Sequence, residues 1–138
     1  MDMDSKRVIY GKDIYRVQSV ASISKVMTAI VAIENGNLDD VVTVGDEILK
    51  AYGSGIYIQI GENIKLRDLI YGLLLRSGND AALAIAQFVS GDVSNFVKKM
   101  NETASKIGMK NTVFNNPSGL DEDKGNYSDV YDMALLMS

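Results

Sequence analysis

The chain has 138 residues, enough for one domain with a real core and too few for two comfortable ones. It is 46% hydrophobic and 23% charged, with a formal net charge of −4, which argues against nucleic acid or an anionic membrane as the main partner. Cysteine and histidine are both absent, so no disulfide, no metal or cofactor site and no histidine base are expected. No apolar run approaches the length of a membrane span, and the first residues do not have the make-up of a signal peptide.

In chain order, residues 1–11 read as the end of a strand, a turn and a short return strand at 8–10. After a loop over 11–20, residues 22–34 form a helix closed by Asn35-Gly36 as its C-cap, apolar on nearly all sides and therefore central. Residues 41–44 are a short β-branched strand, and Asp46 is placed to cap a short helix through Tyr52. Gly53-Ser54-Gly55 breaks the chain, 56–60 is extended, and 63–65 is expected to pair back with 41–44. A helix over 66–75 follows, interrupted by Arg76-Ser77-Gly78, with Asn79-Asp80 capping a second apolar helix over 81–89.

The stretch 93–107 is amphipathic, with Phe96, Val97, Met100 and Ala104 inward, and Gly108 ends it. Residues 112–114 are extended, and 115–120 form a loop around the chain's only proline. Residues 121–126 are polar, and Ser128 or Asp129 caps a last helix over 130–137. With no internal repeat, low-complexity tract or linker, the expected organisation is one domain over 1–138.

Two short motifs carry chemistry. In Ser22-Ile23-Ser24-Lys25 a serine and a lysine stand three residues apart at the start of a helix, a spacing that puts both on one face about one turn apart. A serine hydroxyl is a weak nucleophile until a base takes its proton, and lysine is that base only if burial lowers its pKa. Ile23, Val26, Met27, Ile30 and Val31 supply a dry setting. The plain alternative is an N-cap serine with a solvated lysine. The second motif, Ser77-Gly78-Asn79, lies between two apolar helices. It reads either as a turn and cap, or as a proton-relaying hydroxyl beside an amide that holds a substrate carbonyl.

Together these motifs, Ala21-Ser22-Ile23-Ser24-Lys25-Val26-Met27-Thr28-Ala29 and Leu73-Leu74-Leu75-Arg76-Ser77-Gly78-Asn79-Asp80-Ala81-Ala82, resemble the low-molecular-mass penicillin-binding proteins. These are the serine-type D-alanyl-D-alanine carboxypeptidases of peptidase family S11. Gly61-Glu62, Phe96-Val97, Gly108-Met109, Asn116-Pro117, Gly119-Leu120-Asp121 and Asp132-Met133-Ala134 match the family pattern in order, so the resemblance runs the length of the chain. It implies an α+β architecture: the helical lobe of the β-lactamase/transpeptidase-like fold, mostly α with a few short strands and most of the central sheet missing.

The resemblance also implies roles. Ser22 is the acylated nucleophile and Lys25 its base, while Ser77 relays protons and Asn79 binds substrate. The main-chain N–H of Ser22 forms half of an oxyanion hole. The implied partners are a peptidoglycan stem peptide ending in D-Ala-D-Ala and β-lactam antibiotics, and the implied location is outside the cytoplasm. Glycine at 78 separates the chain from class A β-lactamases, which resemble Ser-Asp-Asn there. Ser118 reads as a turn residue.

The chain departs from the family in having no Lys-Thr-Gly triplet, and most of the first strand is lacking. The expectation is a chain truncated at both ends and inactive by itself, with apolar helix faces uncovered and a tendency to self-associate. A non-catalytic muropeptide-binding or interaction domain on the same scaffold is the alternative.

Overall fold

The computed structural model describes residues 1–121 and 124–138, so Glu122 and Asp123 of the polar 121–126 segment lie outside the described residues. Among the described residues, five α-helices, α1 (Lys25–Asn35), α2 (Leu66–Leu75), α3 (Asn79–Ser90), α4 (Val93–Ile107) and α5 (Val130–Leu136), are accompanied by four short strands. The strands are β1 (Gln18–Ser19), β2 (Val41–Thr43), β3 (Asn63–Lys65) and β4 (Tyr127–Ser128).

Helix α3 is the hub, packing against α1, α2 and α4. Its fully buried Ala81, Ala82, Ala84 and Ala86 let three neighbours approach closely, and Ile85 fills the remaining gap. Met27 and Val31 from α1, Leu66, Leu69 and Leu73 from α2, and Phe96 and Met100 from α4 complete one core. Burying a side chain such as Leu73 or Phe96 stabilises the fold by about 2 kcal/mol each, which makes the α1–α4 cluster the rigid platform of the molecule.

Helices α2 and α4 have the bounds that periodicity predicts, and β2 pairs antiparallel with β3 in the register Val42↔Ile64. Asp129 caps α5, its carboxylate accepting from Asp132 N at 2.8 Å. Elsewhere the structure corrects local expectation. Residues 8–10 form no strand; Ile9 and Tyr10 are exposed, and no neighbouring strand is offered to them among the described residues. Two-residue strand β1 lies instead inside the expected 11–20 loop and pairs with β4, where Tyr127 also bridges to Val113.

The helix expected from residue 22 is split into a 3-10 turn, Ala21–Ser24, followed by α1. Gly36 ends α1 in an extended conformation, not a left-handed cap. A Cβ there would lie 2.6 Å from Leu66 Cδ2, so close packing of α1 on α2 is what requires glycine. Asp46 caps nothing; Glu47 Oε1 accepts from Gly45 N at 3.0 Å, and Asp46–Lys50 is a 3-10 turn. Asn79 and Asp80 lie inside α3, with Gly78 at its N-cap. The 56–60 segment forms no ladder: Ile56 N and Ile58 N donate to the Asp80 carboxylate at 3.1 and 3.2 Å.

Candidate active site

Three elements meet at Ser22. The β1–β4 pair, extended by Val20 N donating to Asn126 O at 3.0 Å, fixes the chain immediately before the 3-10 turn. Ala21 then takes a left-handed φ of +43°, sparsely populated for a residue with a Cβ and held by what surrounds it. Ser24 Oγ donates back to the Ala21 carbonyl, closing the turn. Ser22 is thereby exposed to solvent at the mouth of a cleft, while Lys25 is only 3% exposed at the first position of α1.

Lys25 Nζ lies 3.3 Å from Ser22 Oγ and donates to the Ser118 carbonyl at 2.6 Å. One turn further along the same helix face, Thr28 Oγ1 donates to the neighbouring Pro117 carbonyl at 2.7 Å. Burial lowers the Lys25 pKa from its ordinary 10.5 to about 8, because an ammonium group is poorly solvated there. At pH 7 that shift raises the neutral fraction of the lysine roughly 300-fold. The alternative of a solvated lysine is excluded by its burial.

Ser77 has its main chain in the left-handed region, φ +53°, between α2 and α3. It lines one cleft of about 380 Å³ with Ser22, Lys25, Leu73, Leu74 and Met137. Among the described residues, no hydrogen bond joins the Ser77 hydroxyl to Ser22 or Lys25. Asn79 is buried and borders a different hollow, which Ser118 and Leu120 also line. Its Nδ2 donates to Tyr52 O at 2.7 Å, and its Oδ1 is buried without a hydrogen-bond partner among the described residues. The structure therefore brings Ser22, Lys25 and Ser77 into one cleft and sets Asn79 beside it.

Ser118 is a turn residue, as expected from the sequence, with its hydroxyl near Asn116 Oδ1 at 3.2 Å. What sequence reasoning missed is its main-chain oxygen, the closest partner of Lys25 and 93 positions away. A carbonyl carries no sequence signal of its own. The hint lay in the Asn116-Pro117-Ser118-Gly119 turn, whose glycine has φ +84°; a Cβ on it would lie 2.0 Å from the Ala21 carbonyl oxygen.

A buried lysine stands against an exposed serine, on a helical platform beside a short antiparallel pair, an arrangement chemically suited to a serine–lysine nucleophile pair. The family described as D-alanyl-D-alanine carboxypeptidase, peptidase S11, matches residues 1–138, and the chain belongs to it. It is 38% identical over 141 residues to D-alanyl-D-alanine carboxypeptidase DacF of Bacillus subtilis (strain 168), covering 99% of this chain and 36% of that protein.

Among solved structures it is similar to the D-alanyl-D-alanine carboxypeptidase DacD from Francisella tularensis, with a TM-score of 0.92 and 35% identity over 99% of this chain and 34% of the other. A D-alanyl-D-alanine carboxypeptidase from Mycobacterium tuberculosis H37Rv gives a TM-score of 0.94 at 33% identity, covering 99% of this chain and 52% of that one. The architecture is accordingly that of the helical lobe of the transpeptidase-like fold. The chain spans about a third of the length of the curated relatives it matches.

Proposed function

We propose that residues 1–138 are part of one transpeptidase-like domain and carry the nucleophile half of a serine D-alanyl-D-alanine carboxypeptidase. The observation that supports this best is the buried Lys25 amine 3.3 Å from the exposed Ser22 hydroxyl. In this reading, neutral Lys25 takes the Ser22 proton as Oγ attacks the carbonyl of the terminal D-Ala-D-Ala bond of a peptidoglycan stem peptide. The Ser22 main-chain N–H faces the oxygen that becomes negative. Ser77 relays the proton that Lys25 took from Ser22 on to the departing D-alanine nitrogen, leaving both side chains neutral, and Asn79 donates to the peptide once its bond to Tyr52 O is exchanged for one to substrate.

Water then cleaves the Ser22 ester, restoring the serine and releasing the shortened peptide. A β-lactam acylates the same oxygen by opening its four-membered ring. The substrate places this chemistry outside the cytoplasm, and among the described residues no helix is long and apolar enough to cross a membrane.

Residues 1–138 contain no Lys-Thr-Gly triplet, so turnover is expected to need residues outside them. Ile23, Val130 and Met137, each about half exposed and lining the hollows that border Ser22, form the apolar surface through which the chain by itself would associate. Intact mass after incubation with a penicillin tests the assignment. The expected result is one covalent adduct on the protein at its full natural length and none on Ser22→Ala. A folded protein that binds muropeptide and forms no adduct would instead favour a binding domain on this scaffold.

A further inference from the structure

The 115–120 loop accepts hydrogen bonds from α1 at the Pro117 and Ser118 main-chain oxygens, so the direction of those oxygens depends on what holds the loop. One side chain occupies its centre. Asn116 Oδ1 accepts from Gly119 N at 2.6 Å, and lies 3.2 Å from both the N and the Oγ of Ser118. Asn116 Nδ2 donates to the carbonyls of Leu120 at 2.8 Å and Lys124 at 3.2 Å. The residue is itself anchored: fully buried Asn126 accepts from Asn116 N at 3.1 Å and donates to Asn116 O at 2.9 Å.

The geometry of a peptide plane makes this arrangement directional. The Ser118 carbonyl and the Gly119 N–H belong to the same trans peptide unit and point in opposite directions. Asn116 Oδ1 holds the N–H end at 2.6 Å, and Lys25 Nζ sits on the carbonyl end at 2.6 Å. A neutral amine has two N–H groups and one lone pair, so an N–H committed to Ser118 restricts where the lone pair points. Among the described residues, Ser22 Oγ is the other hydrogen-bond partner of Nζ.

We propose that Asn116 is a positioning residue: through the Ser118–Gly119 peptide it aims the Ser118 carbonyl at Lys25, turns the lysine lone pair toward Ser22 Oγ and keeps water from the amine. This rests on the reading of Lys25 as the base. Among the described residues, no other titratable side chain lines the cleft shared by Ser22 and Lys25; Asp129 lines the adjoining hollow on the other side of Ser22, and the loop side presents Pro117 and Ser118 carbonyls. Burial lowers the Lys25 pKa, so a loosened loop that lets water reach the amine raises it.

The test follows the Lys25 side-chain titration by NMR, together with the pH profile of penicillin acylation, in the protein at its full natural length. In Asn116→Ala the Lys25 midpoint is expected to rise by about one unit, leaving about tenfold less neutral lysine at pH 7, with the acid limb of acylation moving equally. Asn116→Ser keeps an oxygen able to accept from the 118–119 N–H groups and should move both quantities less, in the same direction.

Asn101→Ala is the comparison. Asn101 pins Phe114 with bonds of 2.9 and 2.8 Å but touches neither Ser118 nor Gly119, so its loss should lower the melting temperature and leave the limb in place. An unmoved Lys25 midpoint in Asn116→Ala overturns the proposal; if that variant does not fold, an unmoved midpoint in Asn116→Ser does so. A midpoint that moves while acylation ignores it overturns the reading of Lys25 as the base, and the catalytic positioning role with it.

Discussion

The loop side of the Ser22 cleft and the Ser77 side differ in how they are held. Lys25 and Thr28 are buried, and each donates a bond of 2.7 Å or less to a carbonyl of the 117–118 segment. That segment is in turn held by Asn116 and Asn126. Across the cleft, the partly exposed Ser77 hydroxyl bonds to neither Ser22 nor Lys25, and Asn79 is turned toward Tyr52. The difference teaches that the Lys25 amine is preorganised by protein groups, whereas in the second motif Ser77 is partly exposed and Asn79, although buried, leaves its Oδ1 uncommitted. A group meant to hold a fixed pKa benefits from the first arrangement. A group that must exchange protons or bonds with an incoming peptide needs the second.

The largest expected effect strikes the preorganised side. Lys25→Met should lower penicillin acylation of the full-length protein by roughly 10²–10⁴-fold, measured by the rate of adduct formation, if Lys25 is the base. In the unaltered protein, acylation should rise with pH through about 8, where Lys25 loses its proton, and Lys25→Met should abolish that limb. Stability also rises with pH, over a higher range. Below about 8 the folded and unfolded chains both hold the Lys25 proton, so the folded state carries the full penalty of a buried ammonium. Between about 8 and 10.5 the unfolded chain alone keeps it, and stability climbs with pH. Lys25→Met should therefore be more stable than the parent at pH 7 by about 1–2 kcal/mol after the Ser118 carbonyl loses its donor, and the gap should narrow toward pH 10.

Gly119→Ala probes the same side by steric means. A Cβ 2.0 Å from the Ala21 carbonyl, on a residue with φ +84°, cannot be fitted without moving the turn that presents Ser22. A loss of about 3–5 kcal/mol in a denaturant melt is expected; a loss below about 1 kcal/mol would show that the two segments separate easily. Thr28→Val removes the bond to the Pro117 carbonyl while keeping shape, and should cost about 1–2 kcal/mol in the same measurement. Ser77→Ala should change stability by no more than about 0.5 kcal/mol, since its hydroxyl is bonded to neither partner in the cleft. A larger loss there would erase the contrast between the two sides.

Much of this site was legible before any fold was known. The three-residue spacing of Ser22 and Lys25 required only the helical repeat, and the 3-10 form of the first turn still leaves the two side chains adjacent. Helices α2 and α4 announced themselves through apolar residues at helical intervals bounded by glycines or polar turns. The β2–β3 pair was visible because 41–44 is a β-branched run and the Gly61-Glu62 turn sends the chain back at 63–65, although a 3-10 turn and an extended segment lie between the two strands. Residues 8–10 misled for the complementary reason: their side chains suit a strand, but a strand also needs a neighbour to receive its hydrogen bonds.

Residue type and spacing along one chain thus determined the helices, the nucleophile–base candidate and the family pattern, because local geometry repeats every few residues. Tertiary structure alone decided the rest. It joined β1 to β4 across more than a hundred residues, turned Asn79 toward Tyr52, and set the Ser118 carbonyl on Lys25. Burial and main-chain direction arise only when distant segments close on one another, and they make the Lys25 amine partly neutral at physiological pH.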